Sequence, residues 1–294
     1  MSVPPAFVGV VLIWATTPLA IKWSSESAGF LFGVTSRMLL GVLVCLVLVA
    51  LMRRRLRWHR QALQTYLAAG LGIWGAMSCV YWASQFLASG LISVLFGLTP
   101  VVTAVMAAVW LGERALTPAR MFGVGLGVGG LGLIFGRGLV LGGDAVLGAA
   151  GVLLSVSIHS ASSVWVKRIG AQLHPLETTT GALLVAVPLF LMSWGLFDAH
   201  IPATLTPRAA WSIVYLALFG SALGFILYYD VLRHMQASRV ALITLITPVL
   251  ALLLGQAANG EVLTLRAWAG SAIILVGLAC FEWGDRWRRP LRAL

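Results

Sequence analysis

The chain has 294 residues, is 60% hydrophobic and is charged at only 10% of its positions. A soluble domain carries about 25% charged residues, so a surface this poor in charge must face lipid. The net charge of +11 would suggest nucleic acid in a soluble protein, but here the cations sit in short breaks between apolar runs, which argues against that class.

A helix crossing the hydrocarbon core takes about 20 apolar residues. Runs of that kind follow one another at 3–23, 28–52, 62–84, 88–111, 119–136, 146–166, 176–197, 209–232, 239–258 and 267–284. They predict an all-α membrane protein of ten transmembrane helices with no separate soluble domain. No basic segment precedes the first run, whose first cation is Lys22, so it reads as a retained span and not as a signal peptide. Cys45, Cys79 and Cys280 stand alone in apolar runs and offer neither a disulfide framework nor metal spacing.

The spans carry polar groups that lipid tolerates poorly. Span one offers Trp14 and Thr17, and ends at Lys22, which is expected to snorkel to the interface. Span two holds Arg37 several residues inside its outer end. That guanidinium either binds a substrate carboxylate bidentately or turns outward to pair with Glu26. In span three Ser78, Tyr81, Trp82 and Gln85 recur at helical spacing and form one stripe. Span four offers Thr99, span six Ser155, His159, Ser162 and Ser163, span eight Ser221, Phe225 and Tyr228, and span nine Thr244 with Thr247. These stripes are expected to line a shared cavity suited to a small zwitterion with an apolar side chain. The plainer alternative for each hydroxyl is a bond to its own or a neighbouring helix. For His159 it is a neutral imidazole bonded to a serine or carbonyl.

Pro18, Pro100, Pro188 and Pro248 lie within spans and predict kinks. The run GVGLGVGGLGLIFG at 123–136 has no preceding strand, so it is not a nucleotide fingerprint. Its small residues predict close helix packing.

Lys and Arg are distributed unevenly. The 53–60 loop, the loops after spans four, six and eight, and the C-terminal tail hold fifteen; the opposite side holds Arg137, Arg208 and Arg266. Cytoplasmic loops carry the excess, so both termini are expected in the cytoplasm; an even number of spans likewise puts both on one side.

Two stretches repeat. LTPVVTAVMAAVWLGE ends at Glu113 and ITPVLALLLGQAANGE ends at Glu261, and Thr99-Pro100 and Thr247-Pro248 are offset by the same 148 residues. Tyr81 matches Tyr229 at that offset, and Gly123 matches Gly270 with one residue of slippage. The unit is five spans, an odd number, so the second copy is inverted. Residues 1–143 and 144–294 are then two five-helix repeats around a central cavity, an architecture of secondary transporters. Glu113 and Glu261 end spans four and nine, where a carboxylate can tie neighbouring helix ends through their exposed N–H groups.

The order Trp14, Lys22, Arg37, Tyr81, Pro100, Gly112-Glu113, then Tyr229, Pro248 and Gly260-Glu261 resembles the drug/metabolite transporter superfamily, within it the ten-span EamA-type exporters. The resemblance covers the whole chain. It implies a multi-pass protein of the bacterial inner membrane that exports amino acids or related small metabolites by alternating access. The Trp-rich composition is closest to the aromatic amino acid exporter branch. The partners it implies are a small-molecule substrate and membrane lipid, with no cofactor and no metal, in a monomer or homodimer.

No span carries a mid-membrane carboxylate, so facilitated diffusion is simpler than carboxylate-based proton coupling. Proton-coupled antiport through His159 is the alternative. No G-x-S-x-G, H-E-x-x-H, paired-Asp or Cys/His signature points to an enzyme. A receptor or scaffold would not explain an inverted repeat.

Overall fold

The computed structural model describes residues 3–112, 117–135, 143–240, 243–261 and 264–287. The described residues form helices and no strands. In chain order these are α1 (Val3–Ser25), α2 (Phe30–Leu51), α3 (Arg60–Ala83), α4 (Ser89–Phe96), α5 (Thr99–Leu111), α6 (Pro118–Phe135), α7 (Gly143–Ile169) and α8 (Pro175–Phe197). There follow α9 (Pro207–Tyr215), a π-helical segment (Leu216–Leu223), α10 (Gly224–His234), α11 (Ala237–Val240), α12 (Ile243–Asn259) and α13 (Leu265–Trp287). Among the described residues six stretches are long and apolar enough to cross a membrane: Pro5–Ser25, Phe30–Leu51, Ser89–Leu111, Asp144–Ile169, Pro175–Phe197 and Pro207–His234. Two shorter apolar helices, Leu250–Asn259 and Trp268–Phe281, follow.

Local chemistry sets the helix ends. His59 and His174 each accept a backbone N–H through Nδ1, from Ala62 and Leu176, at 3.3 Å. Thr206 caps Ala209, with Pro207 at the first helical position, where its missing N–H costs nothing. Thr117 caps the helix ahead of Pro118, accepting from Arg120 N. The repeated Gly-Glu pairs have a backbone reason. Gly112 and Gly260 both stop a helix in the left-handed region, with φ of 66° and 62°, a conformation costly for any residue with a Cβ.

Packing follows the duplication. The helix α1 packs on α10 and α12, while α7, its counterpart, packs on α3 and α5. The helices α6 and α13 form the most extensive pair. There a Cβ on Gly123 would lie 2.4 Å from the Gly277 carbonyl oxygen, and one on Gly130 would lie 2.6 Å from that of Gly270. Gly270 and Gly277 stand 147 residues after Gly123 and Gly130. One contact therefore maps onto the other when the copies are exchanged, as a local two-fold demands. The glycine-rich run thus packs against its own repeat mate within the chain.

The Thr-Pro pairs differ between copies. Pro100 opens α5 after a turn at Gly97–Leu98, so the first copy's helix is broken there. Pro248 lies inside α12, as Pro18 and Pro188 lie inside α1 and α8.

Candidate substrate cavity

A cavity of about 70 Å³ lies among the helices of both copies. Trp14, Thr17 and Pro18 enter it from α1, and Met77 and Val80 from α3. Ser93 and Phe96 come from α4, His159 from α7, Phe225 from α10 and Thr247 from α12. The break in the first copy places Phe96 in the wall: α4 stops at that residue, and its carbonyl is taken by the Thr99 hydroxyl.

Among the described residues Arg37 is the one cation in this wall, and it is only 1% exposed. Its Nε donates to Ser221 Oγ at 2.8 Å, and its Nη1 lies 3.5 Å from the Tyr81 hydroxyl, which accepts from Ser24. Its Nη2 lies 2.9 Å from where a Cβ on Gly220 would stand, so the glycine of the π segment lets the guanidinium approach the backbone closely. Among the described residues no carboxylate pairs with Arg37. Glu26, the outward partner considered above, binds Arg208 at 2.6 Å.

The inner wall is aromatic. Trp14 stacks on Tyr228 with centroids 5.1 Å apart, and His159 meets the two rings at 5.8 and 5.3 Å. Tyr228 shares a hydrogen bond with Ser163. Trp14 and His159 also line a smaller chamber on the far side, with Thr99, Thr103 and Ser163. The Trp14–His159–Tyr228 cluster therefore partitions two spaces.

At the opposite end Glu261 ties three helix ends together. It accepts from Ser89 N (2.9 Å), Gly90 N (3.3 Å), Ser89 Oγ (3.0 Å) and Asn259 Nδ2 (3.1 Å), and lies 3.6 Å from Lys22 Nζ. Burial pushes this carboxyl up, but the Ser89 bonds, the Lys22 charge and Asn259 outweigh it and hold the group below the usual glutamate value. Lys22, expected to snorkel to the interface, meets this carboxylate and the Leu87 carbonyl there, its side chain partly exposed. Its counterpart Lys167 donates to the Leu232 carbonyl at 2.8 Å, across the same 65-residue separation. Glu113 lies outside the described residues.

The other sequence-predicted positions fall as follows. Tyr81 is buried behind Arg37, while Gln85 is exposed and donates to the Trp82 carbonyl. Trp82 packs on Gly151 and Phe86, and the buried Ser78 hydroxyl has no partner among the described residues. Ser155 and Ser162 donate to the Ala76 and Ala68 carbonyls and fasten α7 to α3. The side chain of Thr244 lies outside the described residues. The face of α3 that meets the cavity is thus Met77 and Val80, one residue out of phase with the polar stripe. Among the described residues no cluster of three His, Cys, Asp or Glu side chains is placed to hold a metal ion.

The pattern of the EamA-like transporter family matches residues 4–136 and again 146–282, once for each copy. The chain belongs to the EamA-like transporter family. It is a multi-pass membrane transporter. An uncharacterized transporter, YoaV of Bacillus subtilis, is 25% identical over 92% of this chain and 93% of its own. A protein of Streptantibioticus cattleyicolor described as a "probable terminal-alkyne amino-acid exporter" is 27% identical over 93% of this chain and 91% of its own. A crystal structure superposes over 97% of this chain and 99% of its own, with a TM-score of 0.72 at 20% identity, a likeness of fold.

Proposed function

We propose that this EamA-family protein crosses the bacterial inner membrane ten times, as inverted repeats 1–143 and 144–294 with both termini cytoplasmic. In this reading it exports amino acids or related small metabolites by alternating access, down their own gradient. The observation that carries the reading is Arg37, buried with no carboxylate partner among the described residues in an aromatic-walled cavity between the copies. Removing one partner of a charge pair inside a protein is strongly destabilising, so an unpaired buried cation fits a site whose anion arrives as cargo. The Streptantibioticus relative's description supports an amino acid or a close analogue.

Trp14, Thr17, Arg37 and His159 are the proposed substrate contacts within the cavity. Tyr228 and Thr99 lie one layer further in, on the proposed path. Tyr81 positions Arg37. His159, a titratable group in the wall, is the observation that favours the second reading, proton-coupled antiport of a drug or metabolite.

The test is counterflow in proteoliposomes without a pH gradient, loaded with unlabelled amino acids and supplied with labelled phenylalanine, tryptophan or threonine. Accumulation above protein-free liposomes is expected. Accumulation that requires an imposed pH gradient, and is lost in His159→Gln, would replace uniport by the proton-coupled reading.

A further inference from the structure

The charges around the cavity are one-sided. Arg37 lines it, and among the described residues no Asp or Glu does. The acids nearest the ends of the bundle already have cations: Glu261 has Lys22, Glu26 has Arg208 and Glu177 has Arg57. Around the guanidinium the lining is almost entirely hydrocarbon and aromatic, with Met77, Ile92, Phe96 and Phe225. The groups able to receive an ammonium are neutral. They are the Ser93 and Thr247 hydroxyls, the His159 ring, the aromatic faces and the Trp14 carbonyl, which Pro18 cannot serve with an N–H. Thr17 joins them: its proton goes to the Ile13 carbonyl, which leaves an uncharged hydroxyl oxygen to accept.

A monoanion entering this space cancels the Arg37 charge and leaves the closed cavity neutral. A zwitterion cancels the same charge but brings an ammonium with no anion to meet it. A desolvated charge without a partner is the costlier state. An amine alone would add a second cation to the first.

We propose that the cavity selects a small organic acid with an apolar or aromatic body and no ammonium, such as an aryl α-keto acid, over the corresponding amino acid, and excludes the corresponding amine. This rests on the cavity being the transport route, as proposed above. It also fixes a driving force. A monoanion crossing alone carries one negative charge, so an inside-negative potential drives it outward, whereas a zwitterion crosses without responding to the potential.

The experiment uses the full chain in proteoliposomes at neutral pH, with flux into protein-free liposomes subtracted. Labelled phenylpyruvate and phenylalanine share a ring and a carboxylate and differ at the ammonium; phenethylamine, which lacks the carboxylate, is added as competitor. The expected counterflow of phenylpyruvate is at least about tenfold that of phenylalanine, the factor that about 1.4 kcal/mol of discrimination gives, with no competition by phenethylamine. A tenfold potassium gradient with valinomycin should redistribute phenylpyruvate by up to about tenfold and leave phenylalanine unmoved. Arg37→Gln should abolish the preference for the acid, and Arg37→Lys should keep its sign. If the Gln variant fails to fold, the wild-type ratio and the response to potential decide alone. Phenylalanine exchanged as fast as phenylpyruvate, or competition by phenethylamine, overturns the proposal and leaves the transport reading intact. Exchange of neither labelled compound overturns both.

Discussion

Thr99-Pro100 and Thr247-Pro248 are the same dipeptide in the two copies, yet the first opens a helix and the second lies inside one. The difference begins two residues earlier. Gly97 stands where the second copy has Leu245, and the chain turns at Gly97–Leu98 before Thr99. Glycine is a poor helix interior and leucine a good one, so the same proline is accommodated as a first-turn residue in one copy and as an internal kink in the other. The consequence reaches the cavity. The break presents Phe96 and Ser93, while Thr99 falls into the inner chamber and its mate Thr247 into the main one. A duplicated scaffold thus holds an unduplicated cavity, and symmetry describes the packing better than it describes the site.

The largest expected effect tests the symmetric part. Gly123→Leu drives a side chain into the α13 backbone and should cost about 3 kcal/mol, read as unfolding in detergent. Its mate Gly270→Leu, against Gly130, should cost the same within about 1 kcal/mol. Unequal losses would show that the two-fold is only approximate at its tightest contact.

Next comes Glu261, whose carboxylate gathers the ends of α1, α4 and α12. Glu261→Gln leaves Lys22 without its anion and should cost about 1.5–3 kcal/mol. The sign with pH follows from the lowered carboxyl. The contribution is complete above the usual glutamate value and is lost only as pH falls through the lower native value. The Glu261 contribution to thermal stability should be constant between pH 6 and 8 and fall in acid, so in Glu261→Gln the acid step should shrink.

The asymmetric part is broken by making the copies alike. Gly97→Leu should straighten the first copy's helix, withdraw Phe96 from the wall and lower flux by about tenfold without loss of fold, since gates depend on a few hinge residues. Smallest is Gln85→Ala, which should change stability by less than about 0.5 kcal/mol and leave flux unaltered, because that side chain is exposed and bonded within its own turn.

Much of the fold was legible because membrane helices announce themselves by length and apolarity, and the Gly-Glu repeat marked where they stop. The reach of Glu261 to neighbouring N–H groups was also readable, since a carboxylate at a helix junction has few other uses. The phase of α3 was not. In a soluble helix the polar stripe marks the wet face, but here apolar residues face lipid, neighbours and cavity alike. Met77 and Val80 therefore carry no signal, while Ser155 and Ser162 spend their hydroxyls on helix contacts. The anion that Lys22 meets was not readable either, because it lies 239 residues away in the other copy.

The π segment at Leu216–Leu223 has a further consequence, for how such a chain changes over generations. A π turn is the trace of an inserted residue held within a helix. Losing one residue there would restore the α-helical count while Phe225 and Tyr228 keep their faces, because the bulge already absorbs the extra residue. What would change is the stretch inside the segment, where Gly220 lies beside Arg37 and Ser221 accepts from it. A single deletion at this point would therefore act on the buried cation alone and leave the aromatic wall as it is.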